Sequence, residues 1–150
     1  MNDTQPAVWV VSGLGALIPL VLLGGTYIAA WRRLARTYPA SPVDRENMFY
    51  GVSGHIGGTY GAVGCCIRVG LSCEGLRISM GPQFLLPAIM VPWSDITSCE
   101  RARYYFSPVG IRIAIARWPE PIHFWSRLWR HEGLPQQIQT LWHEHAPKVA

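Results

Sequence analysis

The stretch FLLPAIMVPWSDI, Phe84 to Ile96, holds only two plainly polar residues, Ser94 and Asp95. It is a second membrane segment, a buried strand or a binding surface, and the choice decides the fold. As a helix it would rise about 20 Å at about 1.5 Å per residue, well short of a hydrocarbon core of about 30 Å. Pro87 and Pro92 also interrupt it, and proline is confined to the edge or the end of a strand. Ala88–Trp93 is therefore expected as a buried strand, Ser94-Asp95 as a turn or helix cap, and Ile96 as a return to the core. Gly81–Pro87 becomes an apolar loop, and short apolar runs bounded by breakers pack down.

A different stretch suits a membrane. The chain has 150 residues and is 15% charged, against roughly 25% in soluble domains. From Val8 to Trp31 it reads VWVVSGLGALIPLVLLGGTYIAAW, with no charge. A helix of that length rises roughly 36 Å and crosses a bilayer with some tilt. Trp9 at one end and Tyr27 and Trp31 at the other suit the two interfaces, and Pro19 is tolerated in lipid as a kink. A cleaved signal peptide needs a basic start, whereas this chain begins MNDTQP and its apolar run ends in Trp31-Arg32-Arg33, with Arg36 close behind. That flank reads as a stop-transfer signal, and positive charge favours the cytoplasmic side. The expected organisation is a short extracytoplasmic tail at 1–7, a transmembrane helix at 8–31, a linker at 32–46 containing Pro39 and Pro42, and a cytoplasmic domain at 47–150. This describes a single-pass inner-membrane protein with its N-terminus outside. Ser12/Ala16 and Gly25/Ala29 are small-xxx-small pairs that suit helix association, either in a homo-oligomer or in an accessory subunit of a larger membrane complex.

Beyond Asn47 the pattern changes to short apolar runs cut by Gly and Pro. GVSGHIGGTYGAVG (51–64) is glycine-rich and reads as a mobile loop or a twisted edge strand. CIRVGLS places Ile67, Val69 and Leu71 on one face, and EGLRISM does the same with Leu76, Ile78 and Met80. ERARYYF and IRIAIA flank Ser107-Pro108-Val109-Gly110, a turn signal. PIHFW offers a further strand. GLPQQIQTLWHEH spaces Leu134, Ile138, Leu141 and Trp142 along one helical stripe, with Pro135 suited to the first turn. The fold class is thus one N-terminal transmembrane helix plus a mainly antiparallel β domain, a bent sheet or small barrel, capped by a C-terminal helix from about residue 134.

The run EGLRIS, a loop, FLLPAIMVPWSDIT, an Arg/aromatic hairpin and a C-terminal helix resembles bacterial pleckstrin-homology-like (PH-like) domains, including GRAM-like ones, over about residues 60–145. In those, a Gly-Leu hairpin strand is followed by a strand ending in Ile-Pro-Trp-Ser-Asp-Ile. The match here is Val91-Pro92-Trp93-Ser94-Asp95-Ile96, which makes Pro92, Trp93, Asp95 and Ile96 the family-pattern core. The resemblance implies a bent antiparallel sheet under one helix, often beside a membrane helix. Its phosphoinositide-binding members carry Lys/Arg in the first hairpin. Here that hairpin is GLSCEG, which has no base.

No catalytic signature stands out, so the chain is expected to be non-enzymatic, with no cofactor or metal. The four cysteines, Cys65, Cys66, Cys73 and Cys99, form no CxxC pair and are expected as small core residues in a reducing compartment. The imidazoles of His143 and His145 lie about 200° apart on a helix, a poor chelating pair. A thiol-redox protein or membrane-bound enzyme using Cys and His is the alternative. All thirteen Lys and Arg follow Trp31, and twelve of them are Arg. ARWPEPIHFWSRLWRH interleaves Arg117, Arg127 and Arg130 with Trp118, Trp125 and Trp129. This combination suits anionic headgroups beside the anchor, a protein partner, the stacking of nucleotides, or Trp packed under the terminal helix with Arg solvated. Tethering at the leaflet argues against nucleic acid. The function expected is binding or scaffolding, with the bilayer and a protein partner as the contacts.

Overall fold

The computed structural model describes residues 25–40, 47–56, 62–81, 85–104, 107–125 and 133–146. A helix, α1, covers residues 25–37. Seven strands follow: β1 Met48–His55, β2 Ala62–Leu71, β3 Gly75–Met80, β4 Ile89–Pro92, β5 Ile96–Tyr104, β6 Ser107–Ile115 and β7 Trp118–Trp125. A 3-10 turn, Trp93–Asp95, joins β4 to β5, and helix α2, Leu134–His145, closes the domain. All pairings are antiparallel, in the order β4-β3-β2-β1-β7-β6-β5.

Alternation along the strands builds the core. Ile67 and Val69 of β2, Ile78 of β3, Ile111 and Ile113 of β6, and Ile122 and Phe124 of β7 all point inward and are buried. The stripe of α2 lies over them: Leu134 and Ile138 are buried, and Leu141 and Trp142 pack against the same cluster. Pro135 opens this helix, where its missing N–H costs no hydrogen bond.

Four expectations are corrected. First, the glycine-rich stretch is no edge strand. Its residues 51–55 belong to β1, the central strand, which joins β2–β4 to β5–β7. Glycine makes this possible: Gly51 has φ of 72°, and a Cβ on Gly54 would come within 2.6 Å of Ile67 Cδ1. The register slips twice along β1, between Phe49 and Val52 and between Val52 and Gly54, so the strand bends where the sheet turns.

Second, Ser107–Gly110 is not the hairpin turn but the opening of β6. Pro108 fits there because β7 pairs with β6 only from Gly110 onward, so no neighbour on that side needs a proline N–H. Third, the start of the 32–46 segment is more than a helix end and linker, since residues 38–40 pair with β4. The helix continues to Thr37 and ends two residues before Pro39. Fourth, Trp31 does not stand at a membrane interface. It is wholly buried in the domain core together with Leu34, Ala35 and Tyr38. Among the described residues no helix is long and apolar enough to cross a membrane. Of the span expected at 8–31, residues 8–24 lie outside the described residues.

Both sheet edges receive hydrogen bonds from neighbouring segments. The chain leaving α1 pairs with β4: Met90 N–H donates to Tyr38 O at 3.1 Å and Ala40 N–H to Ala88 O at 3.3 Å. At the other edge, α2 reaches β5 carbonyls, with Gln139 Nε2 donating to Cys99 O at 3.1 Å and Trp142 Nε1 to Ile96 O at 3.0 Å.

Candidate functional site

The PWSDI segment is where the peripheral elements meet. Pro92 ends β4 in extended conformation, and the 3-10 turn follows. Trp93 is buried, and its Nε1 donates to Ser72 O at 2.9 Å, pinning the β2–β3 hairpin. That hairpin is closed by the Ser72 hydroxyl, which accepts from Gly75 N–H at 3.2 Å. Ile96 is buried, and its carbonyl receives the Trp142 indole of α2.

Asp95 ties in α1. The Tyr38 hydroxyl donates to Asp95 Oδ2 at 3.1 Å, and Arg117 Nε lies 3.4 Å from the same oxygen. The main chain of Asp95 also accepts from Ala116 N–H at 2.8 Å, which fixes the β6–β7 turn. Burial, reinforced by the bond to Asp95, holds the Tyr38 phenol protonated above its ordinary range. One short turn therefore binds the hairpin, both helices and the β6–β7 turn.

The upper part of α1 is held by the apolar loop before β4. Trp31 Nε1 donates to Pro87 O at 2.8 Å, and Arg32 Nε to Leu85 O at 3.1 Å. Leu86 is buried, and Tyr27 and Ile28 pack against the core cluster. The Arg33 guanidinium lies over the Trp118 ring, 5.6 Å from its centroid. Two of the three arginines read as a stop-transfer flank thus contact the domain itself.

The expected Arg/Trp contact residues are not brought together among the described residues. Arg117 pairs with Asp95, and Trp118 is buried beneath Arg33. Trp125 is half-buried at the far end of β7, seven steps or about 23 Å away at about 3.3 Å per residue. Arg127, Trp129 and Arg130 lie outside the described residues. Sequence reasoning missed Tyr38 and Trp31 as parts of this junction because both sat in segments assigned to linker and membrane.

Of the three cysteines whose side chains are described, Cys99 matches the core reading. It is buried, and burial, helped by the neighbouring Glu100 charge, pushes its thiol up to about 12. Cys66 and Cys73 are exposed, which corrects the expectation for those two. Among the described residues no group of three or more His, Cys, Asp or Glu converges to hold a metal. A groove of about 480 Å³ between α2 and the start of β1 is lined by Asn47, Gly133, Gln136, Gln137, Thr140, Leu141 and Glu144. The Thr140 hydroxyl there donates back to Gln136 O at 3.0 Å. No protein-family model matches the chain, and no curated protein matches it.

Proposed function

We propose that the chain is a membrane-anchored, non-enzymatic binding or scaffolding protein. Its PH-like β domain stands at the cytoplasmic face of the inner membrane and holds a protein partner or anionic lipid. The observation that carries this reading is the way α1 enters the domain: Trp31, Leu34 and Tyr38 are core residues of it. A helix that served only as a tether would need no such contacts. A docked helix fixes the orientation of the sheet and presents one face constantly, which is what a scaffold requires. The resemblance around Val91–Ile96 supports the same reading, because those residues form the hub at which α1 is bound.

With Trp31 in the domain, the membrane span moves toward the N-terminus. Residues 8–24 carry no charge over 17 residues. As a helix they rise about 26 Å, at the short end of what spans a core of about 30 Å. The bilayer surface then lies near Gly24-Gly25, directly beside the domain.

Membrane fractionation tests this. The full chain is expected in the membrane pellet after a high-salt wash and in the supernatant only after detergent. A variant lacking residues 8–24 is expected in the soluble fraction, folded. Full-length chain that stays soluble without detergent would sink the proposal.

A further inference from the structure

The two halves of the sheet, β2–β3–β4 with β1 and β5–β6–β7, join along one short seam. Its register pairs are Ser53↔Trp125, Gly54↔Phe124 and His55↔His123. The last of these sets two imidazoles directly opposite each other. Directly opposed residues share a face of the sheet, and these rings meet edge to face with centroids 5.7 Å apart.

The register continues the row. His123 pairs with Arg112 of β6, and Arg112 with Glu100 of β5. Four ionisable side chains, His55, His123, Arg112 and Glu100, therefore run across four strands on one face. On β2 the partner of His55 is Ala62, which carries no charge. Among the described residues a further charged neighbour is Glu120 on β7. Its Oε2 is buried without a hydrogen-bond partner, and its charge acts on His55.

We propose that the His55–His123 pair is a proton-sensitive latch: neutral imidazoles close the β1–β7 seam, and their protonation loosens it. The physical reason is local. A second positive charge 5.7 Å from the first is unfavourable, and on the His123 side Arg112 adds a third. Glu100 at the far end of the row and Glu120 near His55 are acids among the described residues that offset them. Burial disfavours both imidazolium forms first. Glu120 partly restores that of His55, whereas His55 and Arg112 further disfavour that of His123. A proton on either ring therefore disfavours a proton on the other.

The sign follows from linkage. Both imidazoles titrate below the ordinary 6.5 in the folded protein, so the unfolded or opened chain binds protons more readily. The seam's stability is complete above about pH 6.5 and is lost as pH falls through the folded values.

Hydrogen exchange on the full chain in detergent, with rates corrected to protection factors, reads the latch. Between pH 7.5 and pH 5.5 the amides of 53–55 and 123–125 are expected to lose protection severalfold, while those of β3 keep theirs. His123→Phe is expected to remove the difference between the two pH values. Equal seam protection at both pH values, or an equal loss throughout the sheet, overturns the proposal. If His123→Phe does not fold, NMR titration of the unmodified protein decides. Two separate imidazole midpoints below 6.5 support the latch. Independent midpoints at the ordinary value refute it.

Discussion

The Tyr38 phenol donates to the Asp95 carboxylate at 3.1 Å, joining residues 57 positions apart. Tyr38 closes the segment leaving α1 and Asp95 closes the 3-10 turn before β5, so one bond locks the helix to the sheet's hub. Because the acceptor is charged, Tyr38→Phe and Asp95→Asn are each expected to cost about 1.5–3 kcal/mol. Chemical denaturation of both singles and the double should give a coupling of about 1 kcal/mol. Strict additivity would mean that the bond contributes nothing.

A second prediction concerns where the domain begins. A fragment starting at Thr37 loses Trp31, Leu34 and Ala35, all of them core residues. It should fail to give a cooperative thermal transition by circular dichroism, whereas a fragment starting at Gly25 should give one. Within the longer fragment, Trp31→Ala is expected to cost about 3–5 kcal/mol, the range for a buried aromatic. Cooperative melting of the Thr37 fragment would show that α1 is dispensable.

Trp93 offers a third test, in two steps. Trp93→Phe keeps most of the apolar volume but leaves Ser72 O without its indole donor, at a cost of about 1–3 kcal/mol. Trp93→Ala also opens a cavity and should cost about 3–5 kcal/mol. Urea midpoints should therefore fall in the order wild type, Phe, Ala. Equal midpoints for all three would place Trp93 outside the core.

The cysteines give a fourth. A thiol-alkylating reagent, followed by mass mapping, should modify Cys66 and Cys73 in the native protein and Cys99 only after unfolding. The same burial sets an alkaline limit. The Cys99 thiol moves from an ordinary 9.0 to about 12 in the fold, so the folded chain keeps a proton that the unfolded chain gives up. Its contribution is complete below pH 9 and is lost as pH rises toward about 12. Tyr38, also raised, acts in the same direction. Cys99→Ala should flatten this part of the pH–stability curve; an unchanged slope would assign the alkaline loss elsewhere.

The sheet and its closing helix were legible because their periods are clean. Ile67/Val69, Ile111/Ile113 and Leu134/Ile138 each mark one face without ambiguity, and Trp93 between an apolar strand and a polar turn announces its own burial. What escaped was long-range. Trp31 reads as a membrane-interface residue because it ends an uncharged run, and nothing local reveals that Pro87, 56 positions away, accepts its indole N–H. Tyr38 beside Pro39 looks like linker for the same reason. The glycines of β1 carry a loop-like composition, and only the close approach of Ile67 to Gly54 explains why a central strand needs them. The His55–His123 pair depends on register across strands 68 residues apart in the chain, to which periodicity is blind.

The hydrogen bonds at the sheet edges bear on how this protein can recognise anything. Recruiting a peptide by strand addition needs a free row of backbone donors and acceptors. At β4 residues 38–40 take up part of that row, and at β5 the side chains of Gln139 and Trp142 bond the carbonyls of Cys99 and Ile96. Strand addition at those positions would first have to break these bonds.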